Sequence, residues 1–158
     1  MLIRRSTLTL LMVVLLASLQ SCTGGPYFKR IDPVPDGMAI LYVFRPMDNF
    51  GDWQSQAVYV NDRKIASLSS HAYTSYVTPP GIVNVRIRGL RQAYVYFEAE
   101  AGKSYFLKSS INKISSKSTE AGIDVLVFDV LVFMEPETGL QEIRNCQLSL
   151  DTLALYSY

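Results

Sequence analysis

The sequence predicts an all-β domain, a sandwich of about eight or nine short strands. Three observations carry that prediction. From Met38 onward apolar and polar residues alternate with a period of two, the side-chain repeat of an extended strand. Clusters of Pro, Gly, Asn and Asp interrupt the alternation about every 8–12 residues, as turns between short strands do. Composition agrees: 49% of the residues are apolar, and ten Tyr and seven Phe stand beside many Val and Ile, types that favour a pleated, half-buried surface. A chain this apolar is not disordered.

Ahead of that domain lies a leader. Arg4 and Arg5 precede an uncharged apolar run, residues 8–17, and small residues follow, which is the layout of a secretory signal peptide. The run is shorter than the roughly 20 residues a bilayer-spanning helix needs. The leader ends in LASLQSC, whose last four residues, Leu19, Gln20, Ser21 and Cys22, resemble a bacterial lipobox, where cleavage precedes the cysteine and that cysteine carries the lipid. Residues 1–21 are then the signal peptide and Cys22 the lipidation site; the alternative is an ordinary signal peptide or an uncleaved anchor. Thr23 follows, not the Asp that commonly retains lipoproteins at the inner membrane, so the expected location is the outer membrane, facing the periplasm. Residues 22–37 hold three Gly and three Pro without periodicity and read as a tether. Extended, it would let the domain stand off the lipid by up to about 40 Å.

The sandwich is assigned to residues 38–158, one domain, since the chain after the leader is long enough for one core and too short for two. MAILYVFR, residues 38–45, is apolar on both faces, as a central strand is, and Pro46 ends it. QAVYV and KIASL, residues 56–60 and 64–68, flank Asn61, Asp62 and Arg63 and predict a tight hairpin. HAYTSYV runs into TPPG, where two prolines and Gly81 force a turn. In the next strand Val83, Val85 and Ile87 point one way while Asn84, Arg86 and Arg88 point the other. After a turn at residues 89–92, Ala93, Val95, Phe97 and Ala99 oppose Tyr94, Tyr96, Glu98 and Glu100. AGK turns the chain into SYFLKSS, and the polar NKISSKSTEAG predicts a mobile loop. IDVLVFDVLVFM, residues 123–134, predicts one long or two short buried strands, because Asp124, Asp129 and its length exclude a membrane span. EPETG reads as a turn and LQEIRNCQL as a strand; LSLDTLALYSY fits an edge strand or a short amphipathic helix.

Charge excludes one class of partner. The formal net charge of +1 becomes −1 once Arg4 and Arg5 leave with the signal peptide, so there is no basic excess for nucleic acid. With Cys22 lipidated, Cys146 has no intramolecular partner and reads as a small apolar core residue rather than an intermolecular disulfide or reactive thiol. His71 is the only histidine, which excludes a two-His metal site, and it reads as a solvated residue opening a strand. Phosphate-loop, dinucleotide and serine-hydrolase signatures are absent, and no cofactor is expected. Glu98 and Glu100 share one strand face, a spacing that exposed strands often carry for solubility.

Two groups could bind. Arg86 and Arg88 share the polar face of their strand, Arg91 lies in the following turn, and Tyr94 and Tyr96 occupy the polar side of the next strand. An in-register hairpin sets arginines against tyrosines, suited to cation–π stacking and to carboxylates or phosphates; the plainer reading is a solvated sheet face covering apolar surface. The second group is the loop PMDNFGDWQSQ, where Phe50 and Trp53 flank Asp48 and Asp52.

The order VYVNDRKIASL, YVTPPGIVNVRI, FEAEAGKSYFLKSS and EPETGLQEIRNCQL resembles a family of small bacterial envelope lipoproteins known only as a domain of unknown function. The hairpin followed by TPPG and an alternating strand also resembles PEGA-type modules, small Ig-like β units of envelope proteins, although those usually place Gly where Asp62 or Arg63 stands here. The resemblance spans about residues 38–148 and implies export, lipidation and an Ig-like sandwich, with no catalytic residues to carry over. The expected function is therefore that of a non-catalytic lipoprotein, held to the bilayer by Cys22, that binds an envelope protein or polymer; a small envelope hydrolase and an adaptor subunit of a secretion or surface complex are the alternatives.

Overall fold

The structure is a computed structural model that describes residues 25–47, 53–115 and 125–155. Nine strands in two sheets form the expected all-β sandwich. One sheet has five strands: β1 (Ala39–Arg45), β4 (Ala72–Thr78), β7 (Ser104–Ser115), β8 (Val125–Met134) and β9 (Gln147–Leu148), in the order β8-β7-β1-β4-β9. The other has four, β2 (Gln56–Val60), β3 (Arg63–Leu68), β5 (Gly81–Arg88) and β6 (Gln92–Ala99), in the order β3-β2-β5-β6. Two helices, α1 (Pro136–Ile143) and α2 (Leu150–Leu155), complete the described fold.

β1 is apolar on both faces because both are covered. It lies mid-sheet, antiparallel to β4 and parallel to β7, and its seven residues are all buried. Ala39, Leu41 and Val43 enter the core between the sheets with Val58, Val60, Val83, Val85 and Ile87. Ile40, Tyr42 and Phe44 point outward into a second core with Tyr73, Phe106, Ile143 and Cys146. The β2–β3 turn needs left-handed backbone at two successive positions, and Asn61 and Asp62 supply it at φ 46° and 66°. Asn and Asp tolerate that region better than other non-glycine residues, which accounts for a two-residue hairpin without Gly. After Pro79 and Pro80, Gly81 takes φ 128°, open to glycine alone.

Four expectations need correction. The segment read as a tether is packed from residue 25 to 34: Phe28 N–H donates to the Cys146 carbonyl at 3.0 Å and Leu148 N–H to that of Pro26 at 2.8 Å. The Phe28 ring meets Tyr42 and Tyr73 edge-on, each at 5.3 Å, and Ile31 and Val34 join the same core. Residues 136–143, read as a turn and a strand, form α1. Pro136 starts it where no donor is required, and Leu140 and Ile143, three apart, face Phe106 and Tyr42 in the second core. Residues 112–115 continue β7 instead of opening a loop; residues 116–124 lie outside the described residues. Finally, β8 is one strand but a partly exposed one, with Val132 and Phe133 47% and 41% exposed while Asp129 is buried. At the other end of the chain, α2 decides between the strand and the helix.

Candidate functional site

The β5–β6 hairpin pairs in register, so the arginine and tyrosine rows do meet. Arg86 is opposite Tyr94, Asn84 opposite Tyr96 and Arg88 opposite Gln92. On its other side Arg86 is paired with Tyr59 of β2, and its guanidinium carbon stands 4.8 Å from the centre of that ring. The same guanidinium reaches Asp62 of the hairpin turn at 3.4 Å. Arg86 is therefore held between a ring and a carboxyl group, and its charge is partly spent within the protein.

What the face offers outward is chiefly aromatic. Tyr94 and Tyr96 are each 62% exposed and lie edge to face, 5.7 Å apart, and Ile82 on β5 is 79% exposed. A sheet face presenting two neighbouring tyrosines beside an apolar side chain matches the composition of protein-binding surfaces, where such rings bring large contact area. Arg88 sits at the end of the face and is exposed, as is Arg91 in the turn. Trp53, also exposed, precedes β2 at this same end, since Ala57 is paired with Arg88. Phe50 lies outside the described residues.

The turn carrying Arg91 is fixed by a side chain for which the sequence reading had no role. Asp129 of β8 accepts hydrogen bonds from the backbone N–H groups of Arg91 at 2.7 Å and Gly89 at 3.2 Å and from Gln56 Nε2 at 2.6 Å. Gln56 in turn accepts from the Ser109 hydroxyl. One buried network thus ties β7 and β8 of the first sheet to β2 and the β5–β6 turn of the second. Its signal in the sequence is a lone acid in an apolar strand, since a buried acid must find donors.

His71, at φ 59° and exposed, lines a cavity of about 280 Å³ together with Glu142 and Cys146. Burial, and then the charge of Glu142, push the Cys146 thiol up to about 12, so it stays protonated at neutral pH and is no nucleophile there. Its S–H points at the Arg45 carbonyl, 3.7 Å away, as a core thiol would. A second cavity, about 250 Å³, is polar, lined by Ser67, Ser70, His71, Gln147, Ser149 and Asp151. Among the described residues no group of three His, Cys, Asp or Glu side chains is placed to hold a metal ion.

A family model described as a protein of unknown function, DUF2846, covers residues 35–123, which contain every strand from β1 to β7 and the whole aromatic face. No curated protein and no solved structure matches the chain. Because that model covers more than half of the 158 residues, the chain belongs to the family of unknown function DUF2846.

Proposed function

We propose that this protein is a lipid-anchored, non-catalytic component of the bacterial envelope that binds an envelope protein or polymer through the outer face of β5 and β6. The anchor reading rests on the lipobox-like Leu19–Gln20–Ser21–Cys22 behind a signal-type leader, and the outer-membrane location on Thr23. The two-residue Asn61–Asp62 hairpin followed by the Pro–Pro–Gly turn is what supports kinship with PEGA-type modules. The observation that carries the binding role is the ordered pair Tyr94 and Tyr96 with Ile82 beside it, all more than half exposed.

Two variants test the two halves separately. Cys22→Ser is expected to abolish lipid labelling and to leave the chain out of the membrane pellet or as an uncleaved precursor; an unmodified mature N-terminus elsewhere, read by mass spectrometry, defeats the anchor. For the face, Tyr94→Ala combined with Tyr96→Ala is expected to keep stability within about 1 kcal/mol, since both rings are exposed. The same variant is expected to lose partners captured by crosslinking in the native cell. Capture that survives both substitutions removes the face from the proposal.

A further inference from the structure

The packed N-terminal segment changes where an anchored domain must sit. Residues 25–28 run antiparallel to residues 146–148 as an added edge beyond β9, through the Phe28–Cys146 and Leu148–Pro26 hydrogen bonds and a bridge between Tyr27 and Gln147. The approach is close at Gly25, where a Cβ would run into the Leu148 carbonyl oxygen. Only Thr23 and Gly24 separate the lipidation site, Cys22, from this fixed point at Gly25, and the three residue steps from Cys22 to Gly25 span about 10 Å at most. One headgroup layer is about 5–8 Å deep, half the difference between the 40–45 Å bilayer and its core of about 30 Å, so the fixed point is held within a few ångströms of the outer limit of the headgroups.

The surface around the fixed point has interfacial chemistry. Tyr27 is 64% and Leu150, at the start of α2, 61% exposed, and the exposed Lys29 and Arg30 follow Tyr27 in the chain. An aromatic ring with a hydroxyl, an aliphatic side chain and two long basic ones suit the boundary between acyl chains and anionic headgroups. Exposed acids are near as well: Asp151 is 3.6 Å from Lys64, and Asp32 follows Ile31.

We infer that the sandwich lies edge-on against the bilayer, with β9, residues 25–30 and the start of α2 contacting phospholipid headgroups. This rests on the anchor reading above and goes beyond it, because a long tether and a short one share the same lipobox. The opposite edge, where Phe97 of β6 packs on Phe133 of β8 at 5.0 Å, then faces away. Four strand spacings separate β9 from β8, about 19 Å. Tyr94 and Tyr96, on β6, are left open to the periplasm.

Single-cysteine labelling tests it on the full chain. With Cys22 consumed by lipid and the buried Cys146 thiol up at about 12, a thiol-reactive fluorophore reaches only an introduced cysteine. The exposed positions Tyr27→Cys, Leu150→Cys and Glu98→Cys are each labelled, and the protein is reconstituted into phosphatidylethanolamine–phosphatidylglycerol vesicles carrying a nitroxide headgroup lipid. Quenching at positions 27 and 150 is expected to be several-fold stronger than at position 98. Equal, weak quenching at all three, in protein whose mass carries the diacylglycerol and which floats with the vesicles, overturns edge-on contact and leaves the anchor standing. Protein that fails to float and has an unmodified Cys22 overturns both.

Discussion

At the scale of single residues, Asp129 does more for the fold than its surroundings suggest. It is the one acid in an apolar ten-residue strand, and three donors from two elements of the opposite sheet converge on it. Replacing it with Ala would strand those donors, at about 1–3 kcal/mol for each buried group left unpaired. Asp129→Ala is therefore expected to lower unfolding free energy by about 3 kcal/mol or more in urea, and Asp129→Asn by clearly less, since an amide oxygen still accepts. Equal losses in the two variants would show that volume, not hydrogen bonding, sets the effect. Arg86 offers the opposite case. Its partner Asp62 is exposed, so that ion pair contributes within about 1 kcal/mol, and the stacking on Tyr59 is a comparable term.

At the scale of elements, α1 depends on a glycine in a place where helices normally avoid one. A Cβ on Gly139 would lie 2.6 Å from Phe106 Cβ and 2.7 Å from its ring, so the helix approaches β7 more closely than any other residue permits. Gly139→Ala gains about 1 kcal/mol of helix propensity. Overpacking costs about 1–3 kcal/mol and opposes that gain, so the expected net result is destabilisation, read as a lower midpoint in urea at unchanged slope. A more stable variant would mean that Phe106 yields freely. The same glycine explains why α1 was not legible: PETGLQEI holds a Pro and a Gly that read as a turn, and its helical signal, Leu140 and Ile143 three apart, is less than one turn long. From β1 to β6 the elements were legible because alternation and turn chemistry agreed at every step, as in NVRIR and TPPG. Residues 25–34 were not, since Phe28, Ile31 and Val34 are spaced by three in a chain without regular structure and reveal their burial only against Tyr42 and Tyr73. For the site, the facing of Arg86 and Tyr94 followed from hairpin register, whereas the capture of Arg86 by Tyr59 and Asp62 depended on how β2 pairs with β5, which local spacing does not encode.

The whole molecule has two cores of different character. The one between the sheets has only aliphatic side chains among its buried members, while the outer one, under residues 25–34 and α1, buries Tyr42, Tyr73 and Cys146 together. Burial raises all three above their ordinary values, 10.0 for the tyrosines and 9.0 for the thiol, with Cys146 reaching about 12. Each folded pKa lies above its unfolded one, so the native state holds these protons after the unfolded chain has lost them. The stability they support is complete up to about pH 8 and declines as pH rises through about 9 toward 12, by up to about 1.4 kcal/mol per pH unit for each group titrating in the unfolded state. The loss belongs to the outer core, where Tyr42 Oη also accepts the Ile31 N–H at 2.8 Å and so helps hold the N-terminal segment down. Two measurements follow from that placement. Melting temperature should be flat from pH 7 to about 8.5 and fall beyond it, with a shallower fall in Cys146→Ala because one titrating group is gone. Trypsin should cut at Lys29 or Arg30 at a pH where far-UV circular dichroism of the sheets is still native, because the segment over the ionising groups leaves before the inter-sheet core opens. Simultaneous loss of both signals, or an alkaline slope that Cys146→Ala leaves untouched, would place the titrating stability elsewhere. Release of residues 25–34 at high pH would also lengthen the tether beyond Cys22 from two residues to about twelve, so the edge-on contact with the bilayer should weaken over the same interval, visible as falling nitroxide quenching at position 150.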